Sequence, residues 1–331
     1  MRVIVVGGFG YIGSQVLESI AEHPDLHGAE VVVVDNWSYG RGMAPLQAYF
    51  QQKLPRMVSH CFDISEDTPK LRELIKGADY IINVASLTQI PNSDLHIKYI
   101  LGGAQNLSRL ILETGCKLKK IIDISSTSIY GPVQTKMPEV AEPYTEQVWP
   151  DPEIALHNYA ASKLRAEKVW AAAYAQGVPI TDLRLSTVFG YAVGMRYNQF
   201  INQFLVDAVA GRPTVLPGSP DNYRPFVHVQ DAVGVMLHLL DHDPETNGEV
   251  INVGAERLNP RLGDMYPVLA AMLERRFGLK PDYKFASELG QNTIQESYKV
   301  DYSKLRRMVQ IPIRWDFEAG AEDLVRRVMG G

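Results

Sequence analysis

Short runs of consecutive apolar residues, many of them β-branched, recur through the first 190 residues and alternate with segments of helical periodicity. Consecutive apolar positions are typical of strands that are buried on both faces of a parallel sheet. Strands are predicted at residues 3–6, 31–34, 57–63, 78–85, 119–125 and 180–188. Helices are predicted between them, beginning near residue 68 and spanning 94–114 and 157–176. This alternation predicts an α/β fold.

Beyond residue 190 the alternation becomes irregular. Helices are predicted at 198–210, 232–240 and 262–277, and strands at 225–229 and 248–253. We expect a domain of residues 1–190, onto which residues 225–255 pack back, and a smaller C-terminal α/β substrate lobe within 191–331. The cleft between them is the expected substrate site. Residues 132–152 hold five prolines and predict a lid or binding loop.

Three glycines follow the first strand at three-residue steps and precede the first helix. Gly7 permits a sharp turn, Gly10 lets backbone N–H groups reach a pyrophosphate, and Gly13 lets the helix pack closely on the strand. Tyr11 and Ile12 open the helix between them, where its positive end favours an anion. The alternative is a glycine turn that binds nothing.

An acid at the end of the second strand decides between these alternatives. Asp35 follows the glycines by some twenty residues, where a dinucleotide fold places the carboxylate that binds the adenosine ribose. Together these features predict a Rossmann-type doubly wound parallel sheet. Because Asp35 would repel a 2′-phosphate, we expect the cofactor to be NAD rather than NADP. Arg41 is the nearby residue that could weaken this preference.

Composition narrows the class of partner. The chain has 331 residues, 46% of them hydrophobic and 21% charged, with a net charge of −5. This charge predicts no nucleic-acid partner, and without a signal peptide or an apolar run of about 20 residues we expect a cytoplasmic protein with no membrane contact. Cys61 and Cys116 lie far from any metal-ligand spacing, so we expect two buried, unpaired thiols and no metal site.

Weaker sequence signals follow the third and fourth predicted strands. Asp63 follows the third strand, with Ile64 beside it, and is predicted either to bond the adenine amino group or, with Ser65, to cap the next helix. Ala85 and Ser86 are small residues after the fourth strand and leave room for a cofactor.

The strongest catalytic pattern is a tyrosine and a lysine one helical turn apart. A free phenol is a poor base at neutral pH, but an ammonium about 5 Å away, at an effective dielectric near 20, favours the phenolate by about 3 kcal/mol. Tyr159 is therefore the predicted base for a substrate hydroxyl, with Lys163 as its activator. Ser126, at the end of the fifth strand, is placed to bond the same substrate oxygen.

These motifs together resemble the extended short-chain dehydrogenase/reductase superfamily, and within it the NAD-dependent epimerase/dehydratase family. The resemblance rests on GGFGYIG, VVDN, FDI, SSTSIYG and YAASK, and continues through RLSTVFG at 184–190 and RPFVHVQDAV at 224–233. It implies an enzyme that uses NAD, acts on a nucleotide sugar and forms a homodimer through the helices at 92–114 and 157–176.

The resemblance also assigns residues to roles. It implies the catalytic set Ser126, Tyr159 and Lys163. The residues expected to bind NAD are Gly7, Gly10, Tyr11, Ile12, Gly13, Asp35, Asn36, Asp63, Ile64, Ala85, Ser86, Tyr159 and Lys163. Those expected to bind the substrate are Thr88, Thr127, Thr187, Asn198 and Arg224, where Asn198 has a helix N-cap as its alternative role.

Departures from the family pattern point to a reaction class. The family's dehydratases carry an Asp-Glu pair after the catalytic Ser or Thr, because elimination of water needs a separate acid and base. Thr127 and Ser128 occupy the two positions of that pair, and neither hydroxyl can replace a carboxyl as a proton acid or base at neutral pH. This favours a nucleotide-sugar 4-epimerase that works through a transient 4-keto intermediate over a dehydratase or a decarboxylase.

Other departures leave alternatives open. Asn83, Ile100 and Thr187 replace a histidine and two asparagines of the family, and residues 289–295 replace its Arg-Pro-Gly-Asp segment. Thr88, Gln89 and Arg196 are the candidates to replace those contacts. A dehydrogenase or ketoreductase of a small alcohol or natural-product intermediate, and a non-catalytic NAD-binding protein, are the rival hypotheses.

Overall fold

The computed structural model describes residues 1–38, 43–87, 93–134, 144–147, 158–195, 197–242, 244–291 and 297–330. Its strands are β1 (Arg2–Val6), β2 (Glu30–Asp35), β3 (Val58–Cys61), β4 (Tyr80–Asn83), β5 (Lys120–Ser126), β6 (Ile180–Leu185), β7 (Thr187–Phe189), β8 (Thr214–Leu216), β9 (Phe226–His228), β10 (Val250–Val253) and β11 (Tyr283–Phe285). Its α-helices are α1 (Tyr11–Glu22), α2 (Met43–Lys53), α3 (Pro69–Lys76), α4 (Gly103–Thr114), α5 (Asn158–Tyr174), α6 (Phe200–Val209), α7 (Val229–His242), α8 (Leu262–Phe277), α9 (Ser303–Met308) and α10 (Phe317–Gly330).

Seven parallel strands form the central sheet, in the order β3-β2-β1-β4-β5-β6-β10. The strand order reverses between β1 and β4, and in open α/β sheets ligands bind beyond the carboxyl ends of the strands at such a reversal. The predicted Rossmann-type α/β fold is therefore confirmed. The central strands are buried on both faces because helices cover each side of the sheet, and Val3, Ile4, Val5 and Val6 of β1 are at 0–1% exposure.

Three apolar cores hold the layers together. One face of the sheet packs against α1 and α7, and the other packs against α3, α4 and α5. A third core joins α6, α8 and α10 with the short β7–β9 pair. This third core lies beyond the carboxyl end of β6 and contains Tyr11, the first residue of α1. The irregular C-terminal elements therefore pack beside the glycine turn.

Several predicted elements match the structure closely. The helix predicted at 262–277 is α8, and Gly115 ends α4 in the left-handed conformation with φ 62°. The helix predicted at 94–114 contains a π-helical segment, Ile97–Gly102, before α4. The five-proline stretch at 132–152 lies mostly outside the described residues.

Other expectations were wrong. The strand predicted at 180–188 breaks at Ser186, because β7 leaves the main sheet to pair with β9. Neither Asp63 nor Ser65 caps α3: its cap is Thr68, whose hydroxyl accepts the Leu71 N–H at 3.1 Å. Two α-helices late in the chain, α9 and α10, were not predicted.

The two cysteines also differ from expectation. Cys61 is exposed, since β3 is the edge strand of the sheet, and Cys116 is half-buried. Both are free thiols, as predicted. Among the described residues, no helix combines the length and apolarity needed to cross a membrane.

Candidate active site

The glycine turn after β1 is shaped by contacts that leave no room for side chains. Gly7 has a φ of +78°, and a Cβ there would lie 2.8 Å from the Ala85 Cα at the end of β4. A Cβ on Gly13 would lie 2.1 Å from the Gly7 carbonyl oxygen. These approaches bring α1 directly onto the turn and place it at the reversal of strand order.

The start of α1 offers backbone donors to an anion. Gly10 precedes the helix and has no side chain to cap it. The first N–H groups of an α-helix have no partner within the helix, and the helix dipole adds positive character there. The turn and helix start therefore suit a pyrophosphate.

Asp35 ties the end of β2 to this turn. Its carboxylate accepts the Phe9 N–H at 3.1 Å and the Trp37 N–H at 2.9 Å. Burial raises the pKa of Asp35, and these two N–H groups act in the opposite direction. Asn36 continues the strand end, and both residues line the adjoining cavity. An acceptor stands where a ribose hydroxyl would donate, so the residues present fit the adenosine half of NAD.

The third strand end adds a second carboxylate. One oxygen of Asp63 accepts both the N–H and the hydroxyl of Ser65, at 2.9 and 2.7 Å, and the other lies 3.1 Å from Lys98 Nζ. Ile64 is held by its carbonyl, which accepts the Asn106 amide at 2.8 Å. Asp63 and Ile64 both line the cavity.

At the opposite end, Ser126 and Tyr159 face the same space from β5 and α5. The Ser126 hydroxyl donates to Ser128 Oγ at 2.9 Å and accepts the Ser128 N–H at 3.1 Å. The Tyr159 ring meets the His96 ring edge to face, with centroids 5.9 Å apart. Lys163 lies one turn further along α5, buried behind the cavity wall, where its ammonium donates to the Ile124 carbonyl.

Thr127 is turned into the wall between β5 and β6. It is 1% exposed, its hydroxyl donates to the Leu185 carbonyl at 3.3 Å, and it lies 3.4 Å from the Tyr298 hydroxyl. Because Thr127 and Ser128 carry only hydroxyls, this part of the wall supplies hydrogen bonds and no carboxylate.

Arg224, from the C-terminal elements, is a cation of the described cavity lining. The Arg224 guanidinium lies over the Phe200 ring, 4.3 Å from its centroid, and Arg224 Nη1 lies 3.5 Å from Thr187 Oγ1. Phe200 opens α6 with a φ of +34°, a strained value for a side chain of this size, and such strain concentrates at binding sites. The Phe200 ring and the Thr187 hydroxyl thus fix the orientation of the Arg224 guanidinium.

A cavity of about 650 Å³, a size typical of ligand sites, is lined by most of these groups, and Lys163 lies behind its wall. The predicted site residues that line it are Gly7, Gly10, Tyr11, Ile12, Gly13, Asp35, Asn36, Asp63, Ile64, Ala85, Ser86, Ser126, Thr127, Tyr159, Thr187 and Arg224.

Other predicted site residues lie elsewhere. Asn198 is exposed and is not among the lining residues, and Gln199 and Phe200 line the cavity there. Asn198 does not cap α6 either, since Gln199 is the residue before that helix. The sequence predictions for Arg41, Thr88, Gln89 and Arg196 fall outside the described residues.

Several lining residues were missed in the sequence analysis. His96, Phe200 and Tyr298 line the cavity, and each belongs to a segment where the sequence carried no motif. His96 is the one with a detectable signal: it is a polar residue at 3% exposure, on the apolar face of a predicted helix. Phe200 and Tyr298 were indistinguishable from ordinary core aromatics.

Comparison with known families gives one broad match. The model of the NAD dependent epimerase/dehydratase family matches residues 3–254. Among curated proteins, a UDP-N-acetyl-alpha-D-glucosaminuronate decarboxylase from Bacillus cytotoxicus is 25% identical over 263 residues, 77% of this chain and 75% of that protein. The low-salt glycan biosynthesis protein Agl12 from Haloferax volcanii is 24% identical over 100% of this chain and 99% of its own length.

Solved structures share the fold at similar levels. UDP-glucuronic acid 4-epimerase from Bacillus cereus, in complex with UDP-glucuronic acid and NAD, has a TM-score of 0.80 and 22% identity, covering 100% of this chain and 99% of its own. DesIV, a dTDP-glucose 4,6-dehydratase from Streptomyces venezuelae, also has a TM-score of 0.80 and 22% identity, covering 98% and 96%. Overall shape therefore does not separate an epimerase from a dehydratase.

Proposed function

Because the chain belongs to the NAD-dependent epimerase/dehydratase family, a family of enzymes whose cofactor is NAD, we propose that it is a nucleotide-sugar epimerase. We infer that it acts at C4 of the sugar through a transient 4-keto intermediate. The observation that carries this proposal is the pair of hydroxyl side chains, Thr127 and Ser128, beside Ser126 at the reacting end of the cavity.

NAD would be held by the glycine turn, the start of α1 and the strand ends beside them. The uncapped N–H groups that follow Gly10 would bind the pyrophosphate, and Asp35 would accept from a ribose hydroxyl. NAD held there would supply reversible hydride acceptance.

Tyr159 is the proton carrier in this proposal. It takes the proton of the sugar hydroxyl as the carbon below is oxidised, and it returns that proton when the ketone is reduced on its other face. Ser126 donates to the same oxygen, and the buried ammonium of Lys163 provides a positive charge one helical turn behind the phenol. The substrate ends with the same atoms and the same oxidation state, so the reaction is an isomerisation.

The described wall lacks, beside Ser126, the carboxyl pair that the family resemblance assigns to dehydratases. Elimination of water needs one acid and one base besides the redox tyrosine, and His96 is a titratable group of the wall next to the Tyr159 ring. Among the described lining residues the carboxylates are Asp35 and Asp63, both at strand ends on the adenosine side, and Thr127 is buried and hydrogen-bonded. This distribution favours epimerisation over dehydration.

Arg224 is the proposed anchor for the nucleotide part of the substrate. Arg224 lines the cavity from the C-terminal elements, and Arg suits bidentate binding of phosphate. Thr187 and Phe200 fix its direction. The diphosphate of a nucleotide sugar is the matching ligand.

Isotope tracing in deuterated water tests the proposed reaction. The protein is mixed with UDP-glucose, UDP-glucuronate, UDP-N-acetylglucosamine or dTDP-glucose, with and without added NAD. A 4-epimerase gives the C4 epimer of one of these with no deuterium on carbon and no accumulation of NADH. Carbon-bound deuterium would indicate dehydration, release of carbon dioxide would indicate decarboxylation, and NADH equal to product would indicate a dehydrogenase. Any of these three results contradicts the proposal.

We also infer a homodimer, from the family resemblance and the exposed faces of two neighbouring helices. Leu112 on α4 is 37% exposed and Tyr174 on α5 is 46% exposed, and the helices pack side by side. Light scattering on the purified protein is expected to give twice the chain mass, and Leu112→Glu is expected to shift it toward the monomer. A wild-type monomer at all concentrations contradicts this inference.

A further inference from the structure

One face of α5 carries the proposed active-site pair inward from the cavity. Tyr159, Lys163, Glu167 and Trp170 stand at successive turns, spacings that place side chains on the same side of a helix. Tyr159 lines the cavity, whereas the other three are at most 3% exposed. The stripe therefore runs from the reacting end of the site into the interior between helix and sheet.

The sheet beneath this stripe carries a row of polar residues. Asn83 on β4, Asp123 on β5 and Asp182 on β6 are paired in register across neighbouring parallel strands. All three are buried, at 7%, 4% and 4% exposure. Asn83 Nδ2 donates to Asp123 Oδ1 at 2.6 Å. Since neighbouring strands lie about 4.8 Å apart, the two aspartates are immediate neighbours.

Three carboxyls and two cations share this interior. Glu167 and Arg184 form a two-pronged ion pair, with Nε–Oε1 at 2.9 Å and Nη2–Oε2 at 2.7 Å, and Ser125 donates to the same carboxylate. The opposite charges of Glu167 and Arg184 neutralise each other. Of these five groups, this leaves the positive charge of Lys163 with the two carboxyls of Asp123 and Asp182.

The surroundings of the two aspartates differ. Burial raises the pKa of Asp123, but the Lys163 charge and the Asn83 amide act in the opposite direction. Burial, with the negative charges of Asp123 and Glu167, raises the pKa of Asp182 well above its usual value. Asp182 Oδ1 also has no hydrogen-bond partner among the described residues. Because one buried cation balances only one negative charge, the lowest-energy state of two adjacent buried carboxyls has one of them protonated.

We propose that Asp123 is the counter-charge of Lys163, holding the ammonium in its charged form behind Tyr159, and that Asp182 beside it is neutral. Asp123 does not line the cavity, so it is a positioning residue that acts through Lys163. The proposal rests on the proposed role of Tyr159 as the base. The groups around Asp123 are Asn83 on β4, Asp182 on β6, and Lys163, Glu167 and Trp170 on α5, and Arg184 on β6 acts on Asp182.

Removal of the Asp123 charge is expected to shift the pH–rate profile of the enzyme. A negative charge makes both the phenol and the ammonium hold their protons to higher pH, so its removal moves both ionisations to lower pH. A unit charge roughly 10 Å away, at an effective dielectric near 20, corresponds to about one pH unit. The whole pH–rate profile is expected to move, rather than one limb.

Two isosteric variants on neighbouring strands test the assignment. Asp182→Asn replaces a neutral acid with a neutral amide, and its profile is expected to stay in place. In Asp123→Asn alone, Asp182 is able to ionise and replace the lost charge, so Asp123→Asn is made in the Asp182→Asn background, where an acceptor for Asn83 remains and the profile is expected to move about one unit toward lower pH. An unmoved profile in this double variant, or an equal or larger shift in Asp182→Asn alone, overturns the proposal. If the double variant does not fold, Asn83→Leu in the Asp182→Asn background serves instead, with a smaller shift in the same direction.

A readout without substrate separates this proposal from the proposed function. Phenolate absorbance of the NAD-bound protein is titrated with pH, and the same titration of Tyr159→Phe is subtracted. The midpoint of the difference is expected to fall in the double variant Asp123→Asn with Asp182→Asn and to stay in Asp182→Asn alone, whether or not any nucleotide sugar is turned over. Turnover by the wild type with an unmoved midpoint in the double variant would overturn the counter-charge while leaving the epimerase proposal intact.

Discussion

The buried ion pair that anchors α5 gives the sharpest stability prediction. Glu167 and Arg184 both have side chains at 0% exposure and share two hydrogen bonds of 2.9 and 2.7 Å. Glu167→Gln keeps the shape of the side chain but leaves the guanidinium uncompensated in the interior. Loss of one partner of a buried pair costs about 3–5 kcal/mol of unfolding free energy. For a chain of this length that is a fall in Tm of about 4–7 °C.

Urea unfolding followed by intrinsic fluorescence, together with a thermal scan, measures this loss. The matched control is Glu113→Gln, which breaks an exposed pairing with Arg72 and Arg109 and is expected to leave stability unchanged, because exposed pairs contribute little. Glu167→Gln at wild-type stability, or an equal loss in the control, would show that the buried ion pair does not stabilise the fold. Because α5 carries Tyr159, we also expect Glu167→Gln to lower turnover.

Three further predictions follow from single contacts. Gly13→Ala would place a Cβ 2.1 Å from the Gly7 carbonyl oxygen, so the affinity for NAD, measured by calorimetry, is expected to fall at least about tenfold. The control is Gly28→Ala, where the new Cβ has no atom within 4 Å and the affinity is expected to stay unchanged. Equal affinities in the two variants would contradict this prediction. Asp35→Ser removes the charge that repels a 2′-phosphate, so the preference for NAD over NADP is expected to fall about tenfold, and an unchanged ratio of affinities would count against the assignment. Burial lowers the pKa of His228 to about 3, so the unfolded state binds its proton first, and unfolding free energy falls as pH drops below about 6.5. At pH 5 this loss is about 2 kcal/mol relative to pH 7, and urea titrations of His228→Gln at the two values are expected to lack it; the same loss in wild type and variant would refute it.

The fold was predictable because its local signals agree with its tertiary arrangement. Buried parallel strands require unbroken apolar runs, and the glycine turn has a fixed spacing, so both are visible in the sequence. The break at Ser186 was not visible, since β7 is as apolar as β6 and differs only in its partner strand, β9. Strand partners at long range are set by the packing of the whole chain.

The cavity was predictable at its nucleotide end and less so at its substrate end. Motif residues such as Gly7, Asp35 and Tyr159 line it because they sit at strand ends or on the first turns of helices. The substrate end is built from side chains far apart in sequence, including Phe200 and Tyr298, whose types also suit a core. Asp123 and Asp182 were detectable, because an acid inside an apolar strand run has to be satisfied by something across the sheet.

We propose that the Tyr159 phenol carries the proton of the reacting hydroxyl. The most direct test of this proposal is Tyr159→Phe, assayed for bound NAD by calorimetry and for turnover on the substrate that the wild type epimerises. Loss of a general acid–base typically costs about 10²–10⁴-fold in rate, so the variant is expected to bind NAD like the wild type and to turn over about a thousandfold more slowly. Turnover at the wild-type rate in the NAD-bound variant would contradict the account.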